Sequence, residues 1–187
     1  MSRVIAALLL IAVIGPVYGE DAPAGPRVYE HERGPHLVGA VERSGITGQF
    51  PDWDATYSEY EPLPDAVATL AAVDAPVEVV CVLGTWCHDS EREVPRFWKI
   101  LDTVDNANLE LTMYAVGRTD DEGALAVEAE LGYVESLRLT WDVELVPTFV
   151  FLRDGEEIGR IVETPETTLE EDAAALLAEA PDAPAWR

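Results

Sequence analysis

The stretch Val77–Arg96, VEVVCVLGTWCHDSEREVPR, limits what the 187-residue chain can fold into more than any other. Val77 to Leu83 is apolar except at Glu78, the pattern of a strand buried on both faces. Gly84 and Thr85 break the run, and Trp86-Cys87-His88-Asp89-Ser90 follows. Val94, Phe97, Trp98, Leu101 and Val104 then recur at three- and four-residue steps, which predicts an amphipathic helix. A cysteine at the joint between such a strand and helix lies near free backbone N–H groups and the positive end of the helix dipole. That setting favours the thiolate, the nucleophilic form.

Trp86-Cys87-x-x-Ser90 at a strand–helix joint resembles the active-site motif of the thioredoxin superfamily. Pro95, eight positions after Cys87, stands where that family usually carries a proline in the helix. Val146-Pro147-Thr148 resembles the family's cis-proline loop. Phe149–Leu152, the turn Asp154-Gly155 and Glu156–Val162 follow it like the family's closing hairpin. The resemblance covers roughly Leu63–Ala180. It implies an α/β thioredoxin-like fold, a central mixed β-sheet flanked by helices, with an N-terminal extension. It also implies that Cys87 is the nucleophile. The Val146–Pro147 bond should be cis and leave neighbouring backbone free to pair with an extended substrate. The family's buried acid beneath the site is replaced by Cys81, and its second cysteine by Ser90, so the step that resolves a mixed disulfide is in doubt.

Each of these residues also has a plainer reading. Cys87 would be inert if the pair had simply been lost. Ser90 either hydrogen-bonds the Cys87 sulfur or, with Glu93, forms an S-x-x-E capping box. Trp86 either shapes the surface beside the thiol or fills core. Cys81 reads best as a small buried apolar residue. A Cys81–Cys87 disulfide is the default for an exported chain with two cysteines. Geometry argues against it, because an extended chain separates their Cα atoms by up to about 20 Å and a bridge needs less than about 7 Å. Around Cys87, a protonated His88 would favour the thiolate, and Asp89 and Glu91 would oppose it.

The N-terminus reads as a secretory signal peptide. Arg3 precedes the apolar stretch Val4–Ile14, and Val17 and Gly19 suit a cleavage site before Glu20. The stretch is short for a transmembrane helix, and no lipid-anchoring cysteine follows it. The expected organisation is a signal peptide at 1–19, an N-terminal extension at 20–61 and a thioredoxin-like domain at 62–187, exported to a periplasmic or extracellular space. The formal net charge of −24 argues against nucleic-acid binding and against an anionic membrane surface. One lysine, Lys99, stands against eleven arginines. That balance fits either a halophilic source or an ordinary solvated acidic surface.

Along the rest of the chain, Glu20–Pro26 reads as a flexible leader and Arg27–Gly34 as polar and ambiguous. Leu37–Val41 reads as a short strand, and Ser44–Asp54, with Gly45, Gly48 and Pro51, as loop. Pro62–Val73 is expected to be a helix, Leu109–Val116 a strand parallel to the first, and Ala124–Leu131 a helix ended by Gly132. Leu137–Leu145 leads into the proline loop. Thr148–Arg153 and Glu156–Val162 form a hairpin. Thr167 or Thr168 with Glu170 or Glu171 caps a last helix running to about Ala180. His31 and His36 in HERGPH lack the further ligands a metal site needs and read as solvated loop residues. Trp53, Tyr57 and Tyr60 read as a hydrophobic flap packed on the domain.

These readings converge on an exported monothiol thiol–disulfide oxidoreductase or isomerase. Cys87 would form a mixed disulfide with a client protein or small thiol, and an external reductant would release it. No prosthetic group or metal is implied. The alternative is a non-enzymatic binding module that holds extended peptides in the Pro147 groove. Intact-mass measurement of protein recovered outside the cytoplasm is expected to show a chain starting near Glu20, and a retained Met1 would count against export.

Overall fold

A computed structural model describes residues 25–132 and 138–179. The segment expected to be a signal peptide, most of the leader, residues 133–137 and the end of the chain from Ala180 lie outside the described residues. Six strands form one mixed sheet: β1 (Arg27–His31), β2 (Gly34–Val41), β3 (Val77–Leu83), β4 (Leu109–Ala115), β5 (Thr148–Arg153) and β6 (Glu156–Val162). Their order is β1-β2-β4-β3-β5-β6. The helices are α1 (Arg43–Ile46), α2 (Pro51–Glu59), α3 (Pro64–Ala71), α4 (His88–Val104), α5 (Glu122–Leu131) and α6 (Leu169–Glu179).

The apolar run at β3 becomes the central strand because only there are both faces covered. It pairs parallel with β4 and antiparallel with β5. Its alternate residues divide between two cores. Val79, Cys81 and Leu83 face one with Phe97, Ile100 and Phe149, while Val80 and Val82 face the other with Val38, Val116 and Val150. The expected apolar stripe of α4 is largely buried, and Ile100 joins it as a contact the spacing did not predict. Each such aliphatic or aromatic side chain contributes about 1.5–3 kcal/mol on burial. Asp105, in the left-handed region at φ 47°, ends α4.

The parallel β3–α4–β4 crossover, followed by a proline loop and the antiparallel β5–β6 hairpin, gives a thioredoxin-like fold. The hairpin turns at Asp154 and Gly155, both with positive φ, the primed turn that an Asp-Gly pair selects. At the start of α6 one half of the expected capping box forms, with Thr168 Oγ1 accepting the Glu171 N–H, and the same hydroxyl donates to the Glu171 carboxylate.

Several expectations about the N-terminal extension need correction. Arg27–Gly34, polar and ambiguous in sequence, holds β1, which pairs antiparallel with β2, and β2 pairs antiparallel with β4. His31 and His36 therefore stand on facing strands of a hairpin rather than in a solvated loop. Their rings stack at 4.8 Å, and His36 is only 4% exposed. Ser44–Asp54 is not all loop either. It holds most of α1 and the start of α2, with Pro51 in the first turn, where a proline's missing N–H costs nothing. Trp53 is fully buried against Trp98, with ring centroids 5.8 Å apart. Pro62–Val73 shortens to the helix Pro64–Ala71.

A buried carboxylate fastens this region to the far end of the chain. Glu170 in α6 accepts the Tyr60 hydroxyl at 2.7 Å and the Leu63 N–H at 2.8 Å. Burial, and then the Glu170 carboxylate, push the Tyr60 phenol well above its ordinary range. Glu170→Ala leaves the Leu63 N–H unpartnered and is expected to lower the unfolding free energy by about 2–3 kcal/mol, read from urea denaturation. Glu170→Gln keeps an acceptor and should lose less.

Candidate functional site

Two elements aim the cysteine. β3 ends at Leu83, and the chain turns over Gly84–Trp86, closed by the Cys87 N–H donating to the Gly84 carbonyl at 2.9 Å. Cys87 is then the N-cap of α4 in extended conformation, and its own carbonyl accepts the Glu91 N–H at 3.0 Å. No side chain caps this helix N-terminus, so the thiol lies at the positive end of the dipole, half-buried. Asp89 and Glu91 occupy the first turn, but Asp89 is paired with Arg92 at 2.7 Å. His88 is largely exposed and lies 3.7 Å from Glu91.

Opposite the thiol stands the proline loop. The Val146–Pro147 bond is cis, as the resemblance implied. The Cys87 S–H donates to the Val146 carbonyl at 3.1 Å, which joins two segments 59 residues apart at the sulfur. The loop is braced on both sides. Thr148 Oγ1 donates to the Leu145 carbonyl at 2.7 Å, and the Glu163 N–H donates to the Pro147 carbonyl at 2.7 Å. Arg92 in α4 reaches across to Thr164 Oγ1 at 2.9 Å. Leu145 and Val162 leave exposed apolar surface beside this loop.

Ser90 is not the N-cap, and its hydroxyl partners the end of β3 instead of the sulfur. It lies three residues into α4, fully buried, and its hydroxyl accepts the Gly84 N–H at 3.1 Å. The side chain that replaces the family's second cysteine thus anchors the end of β3. Trp86 covers the other side of Gly84. A Cβ at position 84 would lie 2.7 Å from the Trp86 ring, so glycine is required for that approach. The Trp86 indole N–H donates to the Val116 carbonyl at 2.8 Å, and the Arg118 guanidinium lies 5.2 Å from the ring centroid. Trp86 is thus both packed and part of the site's surface.

Cys81 sits in mid-strand, fully buried, and burial pushes its thiol far above the ordinary range. Both cysteines are free. Among the described residues no group of three or more His, Cys, Asp or Glu is placed to hold a metal ion. No helix there is long and apolar enough to cross a membrane.

Sequence reasoning missed Thr85. It is buried, and its hydroxyl accepts the Leu37 N–H of β2 at 2.9 Å, across 48 residues. It also missed Arg92 and Arg118. No local pattern marks such contacts, because each depends on which strand lies beside β3 and β4.

The arrangement has an addressable sulfur at a helix N-terminus, a cis-proline loop beside it, and no second thiol one turn along. No family model matches the chain. In sequence it is 28% identical over 106 residues to a thioredoxin H-type from Picea mariana, covering 50% of this chain and 85% of that one. Among solved structures it is similar to a protein of unknown function from Pseudomonas aeruginosa, at 16% identity, 69% and 74% coverage and a TM-score of 0.44. It is also similar to thioredoxin from Aeropyrum pernix, at 21% identity, 63% and 85% coverage and a TM-score of 0.35. The strand order, the parallel crossover and the proline loop carry the fold assignment: the chain has a thioredoxin-like fold.

Proposed function

We propose that the protein is an exported monothiol thiol–disulfide oxidoreductase or isomerase acting through Cys87. The observation that carries this is the half-buried Cys87 sulfur at the α4 N-terminus, 3.1 Å from the carbonyl before cis-Pro147. The Cys87 thiolate attacks one sulfur of a client disulfide. That S–S bond breaks, its other sulfur leaves as a thiolate and takes a proton from solvent, and a mixed disulfide remains on Cys87. An external thiol then attacks the mixed disulfide. It regenerates Cys87, becomes disulfide-bonded itself, and so supplies the electrons for any net reduction. Alternatively, a second thiolate of the client displaces Cys87, and the client is isomerised with no net redox change.

Ser90 cannot perform the release. Its hydroxyl is committed to the Gly84 N–H, and an alcohol does not exchange with disulfides. This favours isomerisation, or exchange with a small thiol, over self-contained reduction. The exposed Leu145 and Val162 near the proline loop suit a disulfide-containing protein client. The same surface supports the alternative, a peptide-binding module without redox turnover. Nucleic acid and an anionic membrane are poor partners for a chain of charge −24.

Insulin-disulfide reduction with dithiothreitol separates the two. Wild type is expected to be weak and Ser90→Cys clearly stronger, because a thiol one helical turn on attacks the mixed disulfide intramolecularly. Cys87→Ala should abolish both activities, and Cys81→Ala should leave the wild-type level. No gain from Ser90→Cys would give the binding module the lead. Ser90→Ala isolates the structural role of the hydroxyl. It leaves the buried Gly84 N–H unpartnered and is expected to cost about 1–3 kcal/mol of stability.

A further inference from the structure

The β2–β4 ladder starts at Gly39, paired with Ala115. Leu37 lies beyond its last rung, and its N–H goes to Thr85 Oγ1 instead. Thr85 immediately precedes Trp86-Cys87, so this single bond ties the turn that aims the cysteine to β2. His36, the neighbour of Leu37, points to the opposite face. It is 4% exposed, and its Nδ1 has no hydrogen-bond partner. Four ionisable groups face it. His31 and Tyr29 on β1 lie 4.8 Å and 6.2 Å away between ring centroids, and Arg118 and Asp121 come from the segment between β4 and α5. Asp121 is the one anion among them. Its Oδ1 already takes the Tyr29 hydroxyl and the N–H groups of Gly123 and Ala124, and its Oδ2 lies 3.6 Å from His31 Nε2.

We propose that Thr85 is the positioning residue of the Cys87 turn, and that the buried His36 beside its anchor makes this positioning sensitive to protons. A proton on His36 puts a buried cation beside His31 and Arg118. Parting β2 from the Thr85 turn at residues 36–37 relieves this and withdraws the Leu37 N–H from Thr85. Burial, and then the charge of His31, hold the His36 imidazole below its ordinary value of 6.5. The closed form therefore carries no penalty above that value. As pH falls through it, the opened form takes the proton first and gains population, until the closed form also titrates.

The test is the rate at which iodoacetamide modifies Cys87, mapped by peptide mass. Dividing wild type by His36→Phe at each pH cancels the thiol's own ionisation. The ratio is expected to be flat near about pH 8 and to rise at least about threefold by about pH 5. Thr85→Val should expose Cys87 at every pH and remove the further rise, while Thr85→Ser should restore wild-type behaviour. A flat ratio, or a Thr85→Val rate equal to wild type, overturns the proposal. If His36→Phe does not fold, the pH profiles of wild type, Thr85→Val and Thr85→Ser decide alone. Alkylation does not require disulfide exchange, so a failed insulin assay would count against the proposed function and leave this inference standing.

Discussion

The Gly84 N–H donating to Ser90 Oγ is the interaction on which the rest of the site depends. β3 needs partners on both edges and apolar cover on both faces, and it obtains them only in the middle of the sheet. The first N–H beyond it, that of Gly84, then emerges where the chain must turn into α4. No strand receives that group, and a bare N–H in a dry interior costs about 1–3 kcal/mol. The buried serine one turn into α4 satisfies it. The strand end, the turn and the helix start are thereby fixed relative to one another, and Cys87 sits between them.

Cys87 also lies near the meeting of the two cores. α4 packs one face of the sheet through Val94, Phe97 and Ile100. Trp86 and Cys87 themselves pack against the other, beside Val38 and Val116. The turn is gripped from both sides: by Ser90 from the helix and by Leu37, through Thr85, from β2. The second grip is supplied by the N-terminal hairpin. Residues that looked separable from the domain in sequence therefore bear directly on the geometry of the sulfur.

The elements that carry a strong period were legible in the sequence: β3, α4, the β5–β6 hairpin and the last helix with its cap. So was the position of Cys87 at the strand–helix joint, a local feature, while the cis bond before Pro147 followed from the family resemblance. The hairpin β1–β2 was not. HERGPH looks polar, yet His36 is buried because strand pairing places it under Tyr29 and His31. The helical turns around Gly45, Gly48 and Pro51 were hidden by residues that usually break helices, although Pro51 sits in the one turn that tolerates it. For Ser90 the sequence offered the Cys87 sulfur or a capping role with Glu93, whereas its partner is the Gly84 N–H, six residues back at the strand end.

The acidic surplus has a consequence for how the site is held. With 36 carboxylates and 12 basic side chains, most acids have no cation to pair with, and each arginine near the site is shared. Arg92 holds Asp89, Glu93 and Thr164, so one guanidinium links the first turn of α4 to the segment behind the proline loop. Arg118 holds Asp120 and lies over Trp86. Exposed ion pairs are worth little singly, about 0–1 kcal/mol, but a guanidinium with three partners fixes relative position as well as energy. A lysine offers a point charge without that fork, and the chain has only Lys99. Arginine at 92 thus offers what a lysine would not: it ties the first turns of α4 to Thr164, next to the Glu163 N–H that braces the proline loop.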